Sequence, residues 1–332
     1  MTVSMRSVTW SLQRKPFRRV KTMPEATPQF YNGQTGPTAD RTYKRIAIDA
    51  WDLCCNLRGC GWNWSSSLQI PPETRPTHST SAFVAATLTS LLAHLFWLDV
   101  LYYCVQSSAP STIGSPTGGG IFDPSLPAAH RYSRSTVITF MSGLIIYCAF
   151  QLSHHLAALI GILVFKQHLS LWPPLFKSPW LSTSLTQFWA QRWHQLFRDS
   201  FISLGGYPLS LVAGRVGAVL GSFLISAFLH DFGLRSLGNG SDFREICGFF
   251  LMNGVGILLE HIWRRVTGCR VRGFPGWIWT AAWVVGWANL LVDAWAQKGM
   301  FGGRLLLPVS LRPSTFIEYS SLVPSLMIPF KR

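Results

Sequence analysis

Five apolar stretches, at 81–105, 135–165, 207–230, 245–262 and 277–295, constrain this chain more than any other feature. Each approaches or exceeds the roughly 20 residues that a helix needs to cross the hydrocarbon of a bilayer. A backbone in lipid must satisfy its own N–H and C=O groups, and within a single segment only a helix does so. The sequence therefore predicts an all-α, polytopic membrane helical bundle of about five transmembrane helices. Its 48% hydrophobic and 13% charged residues fit that class, since a soluble domain carries about 25% charged residues. One ambiguity lies in 135–165, which reads either as one crossing or as a hairpin broken near Ser153, His154 and His155.

The remaining chain is read from its charges. Residues 1–44 are basic, and Pro16, Pro24, Pro28 and Pro37 interrupt any long helix, which predicts a disordered cytosolic tail before a membrane-embedded domain at 45–332. The net charge of +15 lies mainly in short runs beside apolar spans. That placement fits positive-inside orientation and contact with the lipid bilayer, not nucleic acid. A cytosolic start with a single crossing at 135–165 puts 166–206 and the cluster Arg264, Arg265, Arg270, Arg272 on the cytosolic side. The seven cysteines suggest no disulfide framework, and Cys54, Cys55 and Cys60 lack a second ligand pair at zinc spacing, so no metal site is expected.

Two segments carry chemistry. Ser184 and Gln187 have capping-box spacing, predicting a helix from there to about Phe201. On such a helix Gln191, His194, Gln195 and Arg198 share one face, opposite Phe188, Trp189, Trp193, Leu196 and Phe197. That pattern predicts an interfacial amphipathic helix. In the second segment Gly214, Ala218, Ser222, Ser226 and His230 follow at four-residue steps, a small-residue stripe against which another helix can pack closely. His230 then faces protein and reads either as a general base for a hydroxyl or as a histidine hydrogen-bonded across helices. Asp231 is not its evident partner, because adjacent residues point to different helix faces.

Both segments resemble the wax-synthase-like branch of the membrane-bound O-acyltransferase family, whose motifs read roughly FWGRRWH and SFxxSGxxHE. Here they stand as FWAQRWH at 188–194 and SFLISAFLHD at 222–231. The turn Arg58-Gly59-Cys60-Gly61-Trp62, led in by an amphipathic stretch at 45–64, is similar to the family's RGxGW, and it would seat Trp62 and Trp64 at the headgroup level. The resemblance covers about residues 45–300, with the fungal enzymes that acetylate terpenoid and meroterpenoid hydroxyls nearest in pattern. It implies an O-acyltransferase of secondary metabolite biosynthesis, integral to the endoplasmic reticulum. It has no tightly bound cofactor, uses acyl-CoA, expected to be acetyl-CoA, as co-substrate, and acts on a lipophilic alcohol. His230 and His194 become the catalytic candidates, and Arg192, Arg198, Lys177 and Trp193 those that hold the acyl-CoA. A long-chain-alcohol fatty-acyltransferase and a non-catalytic transporter are the alternatives.

Further polar groups sit in the apolar spans. His94 with Asp99, and His154 with His155, could relay protons or bond within the bundle; Asn253 faces inward, and Glu260 reads as a structural or tunnel residue. His194 and Asp199 also form H-x4-D, the dyad of glycerolipid acyltransferases, although the companion motifs of that class are missing.

Overall fold

A computed structural model describes residues 2–11, 16–18, 43–64, 68–236, 238–303 and 312–315. Its regular structure is helical: α1 (Thr2–Ser11), α2 (Tyr43–Cys55), α3 (Thr80–Ser108), α4 (Ala128–Leu163), α5 (Leu185–Gln187), α6 (Arg198–Phe201), α7 (Tyr207–Arg235), α8 (Phe243–Thr267) and α9 (Gly273–Gln297). Among the described residues, four helical runs are long and apolar enough to cross a membrane: Thr80–Ser108, Ala128–Leu163, Arg198–Arg235 and Phe243–Thr267. The fifth expected span is helical as α9 and is not among these four; it carries Asn289 and Asp293 among its apolar residues. From Ala128 to Leu163 the chain is one unbroken helix, passing through Ser153, His154 and His155, so the hairpin alternative does not apply there.

The chain divides into two units. The first comprises Met1–Phe83, Ile160–Phe232 and Phe250–Trp283; the second comprises Val84–Leu159, Gly233–Phe249 and Val284–Arg332. In the second, the segment between α3 and α4 lacks regular structure and is tied down by side chains. Asp293 Oδ1 accepts the Ile121 N–H at 2.7 Å, Asp293 Oδ2 accepts Gln297 Nε2 at 2.6 Å, and Asp99 Oδ2 accepts the Ser314 N–H at 2.7 Å. His94 and His155 lie with ring centroids 5.3 Å apart, and His94 Nδ1 donates to the Ser90 carbonyl at 2.6 Å. This pair thus sits within the bundle of its own unit.

The first unit holds the motif segments. Residues 2–11 of the expected tail form α1, whose Arg6 is 3% exposed and donates to the carbonyls of Leu53 and Asn56 at 3.1 and 2.6 Å. Much of the rest of 1–44 lies outside the described residues. The RGxGW turn departs from the interfacial reading: Trp62 is buried at 4% exposure and donates Nε1 to Asp52 Oδ2 at 2.7 Å, while Arg6 lies over Trp64 at 4.4 Å. Gly59 makes the turn possible, with φ +60° and its α-carbon pressed against the Trp64 ring where a side chain would overlap it.

The run Arg198–Arg235 is not one straight crossing. It is non-helical at Ala213 and at Gly214, where φ is 54° and ψ is −136°. Two arms fold back on each other there. A Cβ on Gly205 would overlap the Gly221 carbonyl oxygen, one on Gly206 would stand 2.5 Å from Ser222 Oγ, and one on Gly217 would overlap the Leu209 carbonyl. The partner of the small-residue stripe is therefore the Gly205–Gly206 backbone of the preceding arm, reached through a π-helical stretch at Ile202–Gly206. The second arm, 215–235, is about 31 Å long and can cross a bilayer, whereas the first, 198–212, is about 22 Å.

Candidate functional site

The hairpin register brings the two motif histidines together although 36 positions separate them. Gly205 opposes Gly221 and Leu209 opposes Gly217. Running back from these pairs, the first arm reaches its start at Arg198 beside the His230 end of the second, and the loop that precedes it carries His194. His230 and Arg58 are close enough for their charges to act on the His194 ring.

His194 does not lie on a helix, which corrects the sequence reading. Ser184 caps α5 as expected, its Oγ accepting the Gln187 N–H at 3.0 Å, while Gln187 Oε1 accepts the Thr183 N–H at 2.8 Å. The helix continues as a π-helical stretch, Phe188–Arg192, and ends at Trp193 with φ −73° and ψ 156°. Gln195 explains the break. Its Nε2 donates to the carbonyls of Trp189 at 3.1 Å and Trp193 at 2.8 Å, offering those groups a partner other than the helical N–H donors. The shared polar face of Gln191, His194, Gln195 and Arg198 does not form, and the helix expected to run unbroken to Phe201 is interrupted by a loop at 193–197 between the helical run 185–192 and α6.

Aromatic rings wall the loop. The Phe176 centroid is 5.7 Å from His194 and 4.9 Å from Trp193, Phe188 stacks on Trp193 at 5.4 Å, and Phe197 is 6.4 Å from His194. Half-buried in this setting, His194 is pushed well below its ordinary value, to about 3, first by burial and then by the neighbouring His230 and Arg58. It stays neutral at physiological pH.

His230 is half-buried on α7, its ring 4.4 Å from that of Phe250. Its Nδ1 lies 2.8 Å from the Ser226 carbonyl oxygen, which can only accept, so Nδ1 carries the proton and the Nε2 lone pair is left available. No partner to fix this tautomer is evident from the sequence, because the partner is a main-chain oxygen. His94 and His261 make the same bond, to Ser90 at 2.6 Å and Ile257 at 2.7 Å. The bond thus settles the tautomer without marking a role.

The cationic candidates fall into two places. Lys177 and Arg192 are joined: the Lys177 N–H donates to the Arg192 carbonyl at 2.9 Å, and Arg192 Nη1 returns to the carbonyls of Lys177 and Ser178 at 2.9 and 3.2 Å. Arg198 instead begins α6. Asp199 is half-buried and faces Arg6.

Glu260 has a definite task that its place in an apolar helix hid. Its carboxylate accepts the Leu185 and Thr186 N–H groups at 2.5 and 3.1 Å and the Thr186 hydroxyl at 2.8 Å, so it is the anion at the start of α5. Asn253, fully buried, accepts Trp189 Nε1 at 2.9 Å. Neither contact is visible in sequence spacing, since each joins residues more than sixty positions apart.

Fold and site together define a polytopic helical membrane protein with a paired-histidine site walled by aromatic rings. Residues 172–252, which include both histidines, match the model of the membrane bound O-acyl transferase family. The resemblance seen in the motifs therefore holds for this segment. The chain is 27% identical to an O-mevalon transferase, yanI, of Aspergillus niger over 70% of its own length and 58% of that protein's. It is 28% identical to the acetyltransferase aurG of Calcarisporium arbuscula over 74% and 63%. A long-chain-alcohol O-fatty-acyltransferase of Simmondsia chinensis is 31% identical over 30% of each chain. The chain thus spans about three-fifths of the length of the first two relatives.

Proposed function

We propose that the protein is an acyl-CoA-dependent O-acyltransferase of the endoplasmic reticulum, moving acetyl from acetyl-CoA to a hydroxyl of a lipophilic acceptor such as a terpenoid or meroterpenoid. The observation that carries this reading is the hairpin register that sets the His194 loop against His230, inside the segment matched to the family. His230 Nε2 takes the proton of the acceptor hydroxyl as its oxygen attacks the thioester carbonyl carbon. His194, neutral and still bearing one N–H, donates to the developing oxyanion. The tetrahedral intermediate collapses, the C–S bond breaks, and the thiolate takes the proton from His230. No acyl-enzyme forms. Lys177, Arg192, Arg198 and Trp193 receive the anionic and adenine parts of coenzyme A.

The acetyltransferase names among the relatives support acetyl as the group moved. The Simmondsia relative favours a second reading, transfer of a long-chain acyl group to a fatty alcohol. Microsomes carrying the full chain, incubated with labelled acetyl-CoA or palmitoyl-CoA and a panel of sterol, terpenoid and fatty alcohols, separate the two. The expected product is an acetyl ester of a terpenoid alcohol. Palmitoyl esters alone would establish the second reading, and no ester with any pair would reject both.

A further inference from the structure

The tripeptide Trp172-Pro173-Pro174 leads into the wall of the site, and its two prolines donate no N–H of their own. All three of its carbonyls are taken by guanidinium groups. Arg58 Nη2 donates to Pro173 O at 2.6 Å and Nη1 to Pro174 O at 2.7 Å, across 115 and 116 positions of sequence. Arg75 donates Nη2 to Trp172 O while holding Glu73 at 2.7 Å and lying over the Phe83 ring at 4.1 Å. Two residues beyond the tripeptide, Phe176 turns its ring edge-on to Trp193 and His194, and Leu175 and Phe176 are 3% and 6% exposed.

Arg58 is 5% exposed, and its hydrogen bonds among the described residues go to carbonyls while the nearby carboxylate, Glu73, is held by Arg75. Burying a guanidinium against neutral acceptors is costly. A neutral donor could hold a loop; a fixed fork holds two successive carbonyls in one orientation. Gly59 fixes the backbone immediately after it, through its contact with Trp64.

We propose that Arg58 is a positioning residue for His194, clamping Trp172-Pro173-Pro174 together with Arg75 so that Phe176 sets the orientation of the His194 ring. Its kinetic consequence rests on the acyl-transfer reading; its structural consequence does not. The charge of Arg58 also acts directly on the ring, as one of the groups that hold His194 unprotonated.

Two measurements on the full chain test this. In the first, made without substrate, His194 is carbethoxylated and followed by mass spectrometry in the wild type and in Arg58→Gln, Arg58→Lys and Phe176→Leu, with His261 as internal reference. The rate at His194 relative to His261 is expected to rise several-fold in Arg58→Gln and Phe176→Leu and to return part of the way in Arg58→Lys. In the second, Arg58→Gln is expected to lower kcat by about tenfold or more, as misplacement of a catalytic group does, with KM for the acyl donor little changed. It should add nothing further in a His194→Ala background. If Arg58→Gln does not fold, Arg58→Lys and Phe176→Leu carry the test. Unchanged reactivity of His194 in the folded variants, or a full additional loss in the double variant, would overturn the clamp. A wild type without acyl transfer would reject the function proposed above and leave the carbethoxylation result to decide the clamp alone.

Discussion

His230 presents an unprotonated Nε2 because Ser226 holds its other nitrogen. On the mechanism proposed, His230→Ala loses nearly all acyl transfer, His194→Ala loses much of it, and Asp199→Ala keeps most, since Asp199 faces Arg6. General-base catalysis is worth about 10²–10⁴-fold, well above assay scatter. Comparing kcat/KM of the three variants at equal expression checks the ranking, and a dead Asp199→Ala beside an active His230→Ala would reverse the assignment. His194 also makes a pH prediction. Its folded value of about 3 lies below the ordinary 6.5, so between those limits the unfolded chain binds the extra proton. The stability tied to this group is present above about pH 6.5 and is lost as pH falls toward 3, with a slope of at most about 1.4 kcal/mol per pH unit. In detergent, wild-type Tm should therefore fall more steeply between pH 6.5 and 4.5 than that of His194→Gln.

At the scale of elements, the turn at Gly214 gives the next prediction. A side chain there would meet nothing within 4 Å, so Gly214→Ala is penalised through its left-handed φ of 54° and not through a clash. The expected loss is about 1–3 kcal/mol, read as a lower Tm with the acceptor specificity unchanged. Gly205→Leu should do more damage, because it drives a side chain into the Gly221 carbonyl and parts the arms. These elements also show what the sequence could convey. Length and hydropathy located the membrane helices, and the Ser184 cap was readable from a spacing of three. The end of that helix was not, because Gln195 reaches back to carbonyls that a periodicity argument assigns to helical N–H groups. Nor was the fold-back readable: four-residue steps in the stripe imply close packing but do not name the partner, and a glycine at 214 looks like one more member of the stripe. Arg58 and Glu260 were missed as parts of the site because the main-chain atoms they bind are distant in sequence, and Gln195 because it turns back on nearby main-chain carbonyls instead of continuing a helix.

For the whole molecule, orientation is the main prediction. The basic segments around Lys177 and Arg270 are proposed to be cytosolic. Single cysteines placed near each, in a chain whose native cysteines have been replaced, should react with an impermeant maleimide from the cytosolic side, and one near Gly240 should not. Opposite accessibility at Lys177 and Arg270 would require a different number of crossings between them. The fold-back bears on how such a chain is made. Loop closure grows dearer with length, but here the two histidine segments meet through a turn that pairs residues only eight and sixteen positions apart. Arg58 and Trp172 leave the ribosome before that turn does. The contacts that define the site can therefore form in order as the chain emerges, each onto a partner already synthesised, and α8, with Glu260 at the α5 start, closes the sequence of events before α9 is complete.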